Sequence, residues 1–243
     1  MLQELKKEIQ KKANPTKAKL LQRFFKTGKG EYGEGDIFLG LMVPIQREIV
    51  GKFWNYIDLK EVEELLQGKI HEERLIDLLI LVKKFEKTKQ ENEKKEIFEL
   101  YQRNYNNINN WDLVDLSAPR IVGQFLIYKD KNEKQILYKF AHSDNLWKKR
   151  ISVLGTFWFI RENEFEDSLK IAEILLKDKH DLIHKAVGWM LREIGKRNLA
   201  VEEEFLKKYA KIMPRTMLRY AIEKFSYEKR QHYLNFSKPR FKR

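Results

Sequence analysis

Asn110-Trp111-Asp112-Leu113-Val114-Asp115 puts a tryptophan and a carboxylate four residues apart, on one face of what reads as the first turns of a helix. A carboxylate held beside a large ring can oppose a positive charge or orient and deprotonate a water. It stands out because the chain is basic, with 49 Lys plus Arg against 36 Asp plus Glu and a formal net charge of +13. Asn110 or Asp112 serves as the cap, and Asp112 also complements the dipole at the helix start. Asp115 lies a full turn further in, where that benefit has faded, so capping does not account for it.

Two further constellations carry the opposite charge. Around Lys185, the residues Ile183, Val187, Met190 and Ile194 form an apolar stripe, and Lys185, Trp189, Arg192 and Lys196 fall opposite it. Trp189 then either packs on a neighbouring helix under Arg and Lys stems or sits on a helix that meets a nucleic-acid backbone. Arg150 is unlike its neighbours Lys148 and Lys149, because it points into an arc of Leu146, Trp147, Ile151, Val153, Leu154, Phe157 and Trp158. A buried arginine needs a carboxylate partner. His180 and His184 share a helical face, but no third ligand accompanies them, so they are not read as a metal site. No Gly-x-Ser-x-Gly elbow and no phosphate loop is present: Gly28 to Asp36 holds four glycines without a following Gly-Lys-Ser/Thr, and reads as a surface loop.

The elements that must position these residues are helices. Leu2, Leu5 and Ile9 recur at helical spacing, Asn14-Pro15 breaks that helix, and the next carries Leu20, Leu21, Phe24 and Phe25. Helices are expected at roughly 45–55, 59–67, 71–86 and 91–104, with Lys83–Lys95 as a solvated turn. A weak repeat follows. Asp144 to Ile151 aligns with Lys179 to Ala186 and with Pro214 to Ala221, at an offset of 35 residues. Shifted back once, Arg150 falls on Asp115. A helical period of this size predicts stacked helix pairs. The expected fold is therefore all-α, with Asp115, Arg150 and Lys185 as neighbours on a concave basic face. Residues 1–243 read as one domain, with the tail Lys238 to Arg243 either a further DNA contact or a disordered end.

Composition narrows the partners. An excess of cations this large points to an anionic polymer or membrane surface, and the 15 Phe, 10 Tyr and 5 Trp favour nucleic acid, where rings stack on bases. There are no cysteines, which excludes disulfides, thiolate metal sites and a thiol nucleophile. No apolar run approaches the ~20 residues of a membrane span, and the start Met1-Leu2-Gln3-Glu4 lacks the apolar core of a signal peptide. The expectation is a cytoplasmic protein.

The chain resembles the AlkD family of DNA alkylation repair glycosylases, built from HEAT-like helical repeats. Asn110 to Asp115 is similar to that family's Trp-Asp-x-x-Asp segment, Trp147-Lys148-Lys149-Arg150 to its arginine helix, and His184 to Glu193 to its Lys-Ala-x-Gly-Trp helix. Near the start, Asn14 to Ala18, Arg23 to Lys26 and Phe38-Leu39-Gly40 resemble its opening helices and following Phe-Leu-Gly. Phe24 stands where the family often has tyrosine, and the glycine-rich stretch 28–36 is a second departure. The resemblance implies a right-handed α-solenoid and hydrolysis of the N-glycosidic bond of cationic alkylpurines, 3-methyladenine and 7-methylguanine, in duplex DNA. It implies Asp115 as catalytic carboxylate, with Trp111, Arg150, Trp189, Phe24, Lys185, Arg192 and Arg219 contacting the lesion or the DNA. It further implies a monofunctional, monomeric base excision repair enzyme without metal or other cofactor. The rival reading is a non-catalytic helical-repeat protein that binds branched or distorted nucleic acid. A protein-binding scaffold accounts poorly for the charge.

Overall fold

The computed structural model describes residues 1–236; the tail Lys238 to Arg243 lies outside them. The architecture is all-α and of the helical-repeat kind. Among the described residues the extended pairing is a single parallel bridge between Ile37 and Ile70. The chain forms two compact units, Met1–Phe125 and the residues from Leu126 on.

The first unit contains α1 (Leu2–Lys11), α2 (Pro15–Phe24), α3 (Val43–Phe53), α4 (Leu59–Leu66), α5 (His71–Lys87), α6 (Glu91–Arg103) and α7 (Trp111–Ser117). The expected helices fall in place within a few residues. Leu2, Leu5 and Ile9 are all buried. Asn14 caps α2 by accepting from the Lys17 amide, and Pro15 occupies its first turn, where a missing N–H costs nothing. Leu20 and Phe24 of that helix face solvent. Two expectations are corrected. Lys83–Lys95 is not one turn: α5 runs to Lys87 and α6 begins at Glu91. Lys84 and Lys87 suit the end of one helix, and Glu91 and Glu93 suit the start of the next. The glycine-rich stretch is not wholly a surface loop, since Gly33 and Asp36 are buried.

The helix α5 is the centre of this unit. It packs against α3, α4, α6 and α7, and Leu75 to Val82, apolar but for Asp77, are all buried. After α7 the chain makes a π-type turn at Pro119–Gly123, where the Gly123 amide reaches back to the Ala118 carbonyl at 3.0 Å. Pro119 has no N–H to continue the α ladder, which favours such a widened turn.

A short helix α8 (Gln124–Leu126) follows the π-type turn. The second unit then holds α9 (Lys131–Ala141), α10 (Leu146–Gly155), α11 (Phe157–Arg161), α12 (Glu166–Ile174), α13 (Asp181–Arg197), α14 (Leu199–Tyr209), α15 (Arg215–Ala221) and α16 (Tyr227–Phe236). The repeat appears here as α10 packed on α13 and α13 on α15. At Gly188 these last two approach so closely that a Cβ would lie 2.4 Å from the Met217 carbonyl oxygen. The caps of α10, α13 and α15 are Asn145, His180 and Pro214. The third cap comes one residue earlier than a strict 35-residue period requires. The position five beyond the cap is accordingly Arg150, Lys185 and Arg219. In the first unit, Asp115 stands at the same distance from its own cap, Asn110.

Candidate active site

In the first unit the predicted Trp111 and Phe24 meet, with ring centroids 6.0 Å apart and nearly edge-on. Trp111 also stacks on Phe25 at 5.1 Å and 10°, Phe25 on Phe38 at 5.0 Å, and Phe38 on the His71 imidazole at 4.4 Å. Four rings thus run from the buried start of α5 out to Trp111, and Phe24, 63% exposed, leans on the outer end. Offset and edge-on ring pairs are favourable beyond the area that they bury.

Beneath the rings lies a closed set of charges. His71 Nδ1 and Asp36 Oδ2 are 2.9 Å apart, as are His71 Nε2 and Asp112 Oδ2. Arg74 donates to Asp36 Oδ1 at 2.5 Å and to Asn109 Oδ1 at 2.7 Å. Burial pushes the His71 imidazole down, but the carboxylate of Asp112, then that of Asp36, outweigh it and carry its pKa up to about 9. Burial raises the Asp36 carboxyl, and its bonds with His71 and Arg74 more than reverse this, leaving it below the usual value. Glu72, next to His71, accepts from the amides of Leu39, Gly40 and Leu41 at 3.1, 2.8 and 3.1 Å. Gly40 has φ +89°, and a Cβ there would lie 2.2 Å from the Asn14 carbonyl oxygen. The start of α5 therefore fixes both the loop through Phe38-Leu39-Gly40 and the start of α7.

Asn110 is the cap of α7, its Oδ1 accepting from the Trp111 amide at 2.8 Å. Asp112 does more than complement a dipole, because it is buried and holds His71. Asp115 is half-buried one turn on. Its charge reaches the buried Tyr101 hydroxyl, which burial first and Asp115 also push upward. Tyr101 is bonded to Ser117 at 2.9 Å, so α6 secures the far end of α7.

In the second unit Arg150 is 5% exposed, as its spacing predicted, and its guanidinium donates to the Leu182 carbonyl at 2.6 Å. Lys185 pairs with Asp181 at 2.7 Å, Arg192 pairs with Glu223, and Arg219 is exposed. Trp189 is not framed by cations alone. Its indole N–H donates to Glu193 at 3.0 Å, Lys196 also bonds Glu193, and Phe157 lies 6.3 Å away. His180 is the cap of α13, and His184, one turn on, bonds the Asp178 carbonyl. Among the described residues, no group of three or more His, Asp or Glu side chains is placed to hold a metal. No helix among them is long and apolar enough to cross a membrane.

Sequence reasoning missed Asp36, His71 and Arg74. The signal was the same period: Asp36 to His71 and Arg74 to Asn109 are each 35 residues apart.

Residues 5–225 match the profile of a family described as DNA alkylation repair enzyme. A solved structure described as a predicted DNA alkylation repair enzyme from Enterococcus faecalis has a similar fold, with TM-score 0.68 at 16% identity, covering 88% of this chain and 97% of that one. No curated protein matches the chain in sequence.

Proposed function

The chain belongs to the DNA alkylation repair enzyme family, and from that premise we propose that it is a DNA glycosylase hydrolysing the N-glycosidic bond of cationic alkylated purines. The observation that carries the reading is Asp115, a carboxylate one turn beyond Trp111 on a helix clasped at both ends.

The chemistry suits a lone carboxylate. A purine alkylated at N3 or N7 already bears positive charge and leaves without protonation, so no strong general acid is required. The barrier lies in oxocarbenium-like charge developing on the sugar. A fixed carboxylate stabilises that charge and orients the attacking water. With no lysine nucleophile in this scheme, the product is an abasic site. Trp111 and Phe24 offer ring faces and edges to the lesion's sugar and backbone, and Trp189 is a further ring for DNA contact. Arg150, Lys185, Arg192 and Arg219 bind phosphates, which gives affinity without sequence preference. The protein acts as a monomer on duplex DNA and needs no cofactor.

The test is release of 7-methylguanine or 3-methyladenine from methylated duplex DNA. Asp115→Asn should slow release by about 10²–10³-fold, the scale for loss of one group aimed at developing charge, while leaving affinity for undamaged duplex in place. Equal release by variant and wild type would remove Asp115 from the reaction. Tight binding of distorted DNA without any base release would favour the non-catalytic rival.

A further inference from the structure

Asp36, His71, Asp112 and Arg74 have no part in the reaction described above, yet they lie directly beneath Trp111. The His71 imidazole is 1% exposed, and both nitrogens meet carboxylates from different elements: Asp36 at the end of the glycine-rich loop and Asp112 in the first turn of α7. Phe38 stacks on the ring, and Phe25 packs against it at 5.0 Å while carrying Trp111 on its own face. The first turn of α7 is thus held twice from one side chain, through the Asp112 carboxylate and through the Trp111 ring. Asp115 follows one turn later on the same short helix. A neutral imidazole has one N–H and can donate to one carboxylate, whereas an imidazolium donates to both.

We propose that His71 is a positioning residue for the reaction: as an imidazolium it clamps the glycine-rich loop to α7, and so sets how Trp111 and Asp115 face the DNA. The clamp is read from geometry, and only its consequence for base release rests on the glycosylase reading. The charged groups facing His71 are Asp36 from the loop and Asp112 from α7. On its own helix, Arg74 bonds the other oxygen of Asp36, and Glu72 is engaged by the Leu39, Gly40 and Leu41 amides. With its pKa at about 9, the clamp is closed at neutral pH and opens as pH rises through that value.

The experiment uses the full chain labelled with 5-fluorotryptophan, the Trp111 resonance being identified by its loss in Trp111→Phe. In the wild type, that resonance should titrate with a midpoint near 9. In His71→Gln, the resonance at neutral pH should already sit at the wild type's alkaline position. Base release by His71→Gln at saturating methylated duplex should fall on the order of 10- to 100-fold, as expected for a misplaced reacting group, with affinity for undamaged duplex unchanged. A wild-type Trp111 resonance that stays fixed from about pH 7.5 to about pH 10.5, a window from about one unit above the ordinary imidazole value to well past the raised value of His71, overturns the clamp, and this measurement needs no variant to fold. A folded His71→Gln with wild-type resonance and rate overturns it as well. Because the resonance reports the clamp without catalysis, a protein that releases no base contradicts the glycosylase reading and leaves the clamp standing on its own titration.

Discussion

In Met1–Phe125 the charges that matter are buried and closed on one another. Asp36, His71, Asp112 and Arg74 are bonded to one another around one imidazole, and Asp115 stands half-buried outside that set. From Leu126 onward the arrangement is reversed. The position five beyond the cap carries Arg150, Lys185 and Arg219, going from buried to exposed along the chain; Asp181 pairs with Lys185, and Glu193 and Glu223 pair with the nearby Arg192. One address in a repeated helix thus holds an acid in one unit and a cation in each of three helices of the other. The repeat supplies the place, and the residue type supplies the chemistry.

Opening the closed set should have the largest effect. Asp36→Ala leaves His71 and Arg74 without the carboxylate that they share, and breaking a buried pair from one side costs about 3–5 kcal/mol. Urea denaturation followed by far-UV circular dichroism should show that loss. A loss under about 1 kcal/mol, the range of exposed pairs, would mean that the first unit's buried charges are no more costly to disturb than the second unit's surface ones. The same set predicts a pH dependence. His71 has its folded pKa raised from 6.5 to about 9, so its contribution is whole below the unfolded value and is lost as pH rises through the folded one. The difference amounts to about 3 kcal/mol by proton linkage. Asp36, held low, works the other way, and its contribution is lost only in acid.

A smaller effect tests the spacing of the second unit. Gly188→Ala would set a methyl 2.4 Å from the Met217 carbonyl oxygen and 2.5 Å from Tyr220 Cβ. Forcing α13 and α15 apart should cost about 1–3 kcal/mol, the usual penalty of overpacking. Since Lys185 and Arg219 ride on these two helices, DNA affinity should fall with stability. Unchanged stability would show that α15 yields freely, and that the register of cations is not set by this contact.

The sequence made the helices legible wherever apolar residues kept a 3.6-residue period, and it made Arg150's burial legible because one cation sat within an apolar arc. The Trp111–Asp115 pair was legible from spacing alone. The closed charge set was not. His71-Glu72-Glu73-Arg74 looks like an ordinary polar helix start, and nothing local reveals that His71, Glu72 and Arg74 turn inward to the loop through Asp36 and Gly40. Phe25 and Phe38 were legible as aromatic, but their stacking between His71 and Trp111 depends on a loop held by Glu72 and by the left-handed Gly40. Glu193 escaped notice beside Trp189 because a carboxylate among cations on a helix reads as simple charge balance.

The smallest effects should come from the exposed cations, and they sharpen the comparison most finely. Lys185 pairs with Asp181 one turn away, both partly exposed, so Lys185→Ala should change stability by no more than about 0.5 kcal/mol. Arg219→Ala should do the same. If each neutralises one phosphate, each substitution lowers the slope of log affinity against log salt by about 1, equally for damaged and undamaged duplex. Arg150 occupies the corresponding place but is buried against the Leu182 carbonyl, so Arg150→Ala should lower stability as well as affinity. Three variants at one helical address would then separate into two classes by burial alone. Equal stability losses in all three would contradict that division, and unchanged salt slopes for Lys185→Ala and Arg219→Ala would remove these cations from the DNA contact.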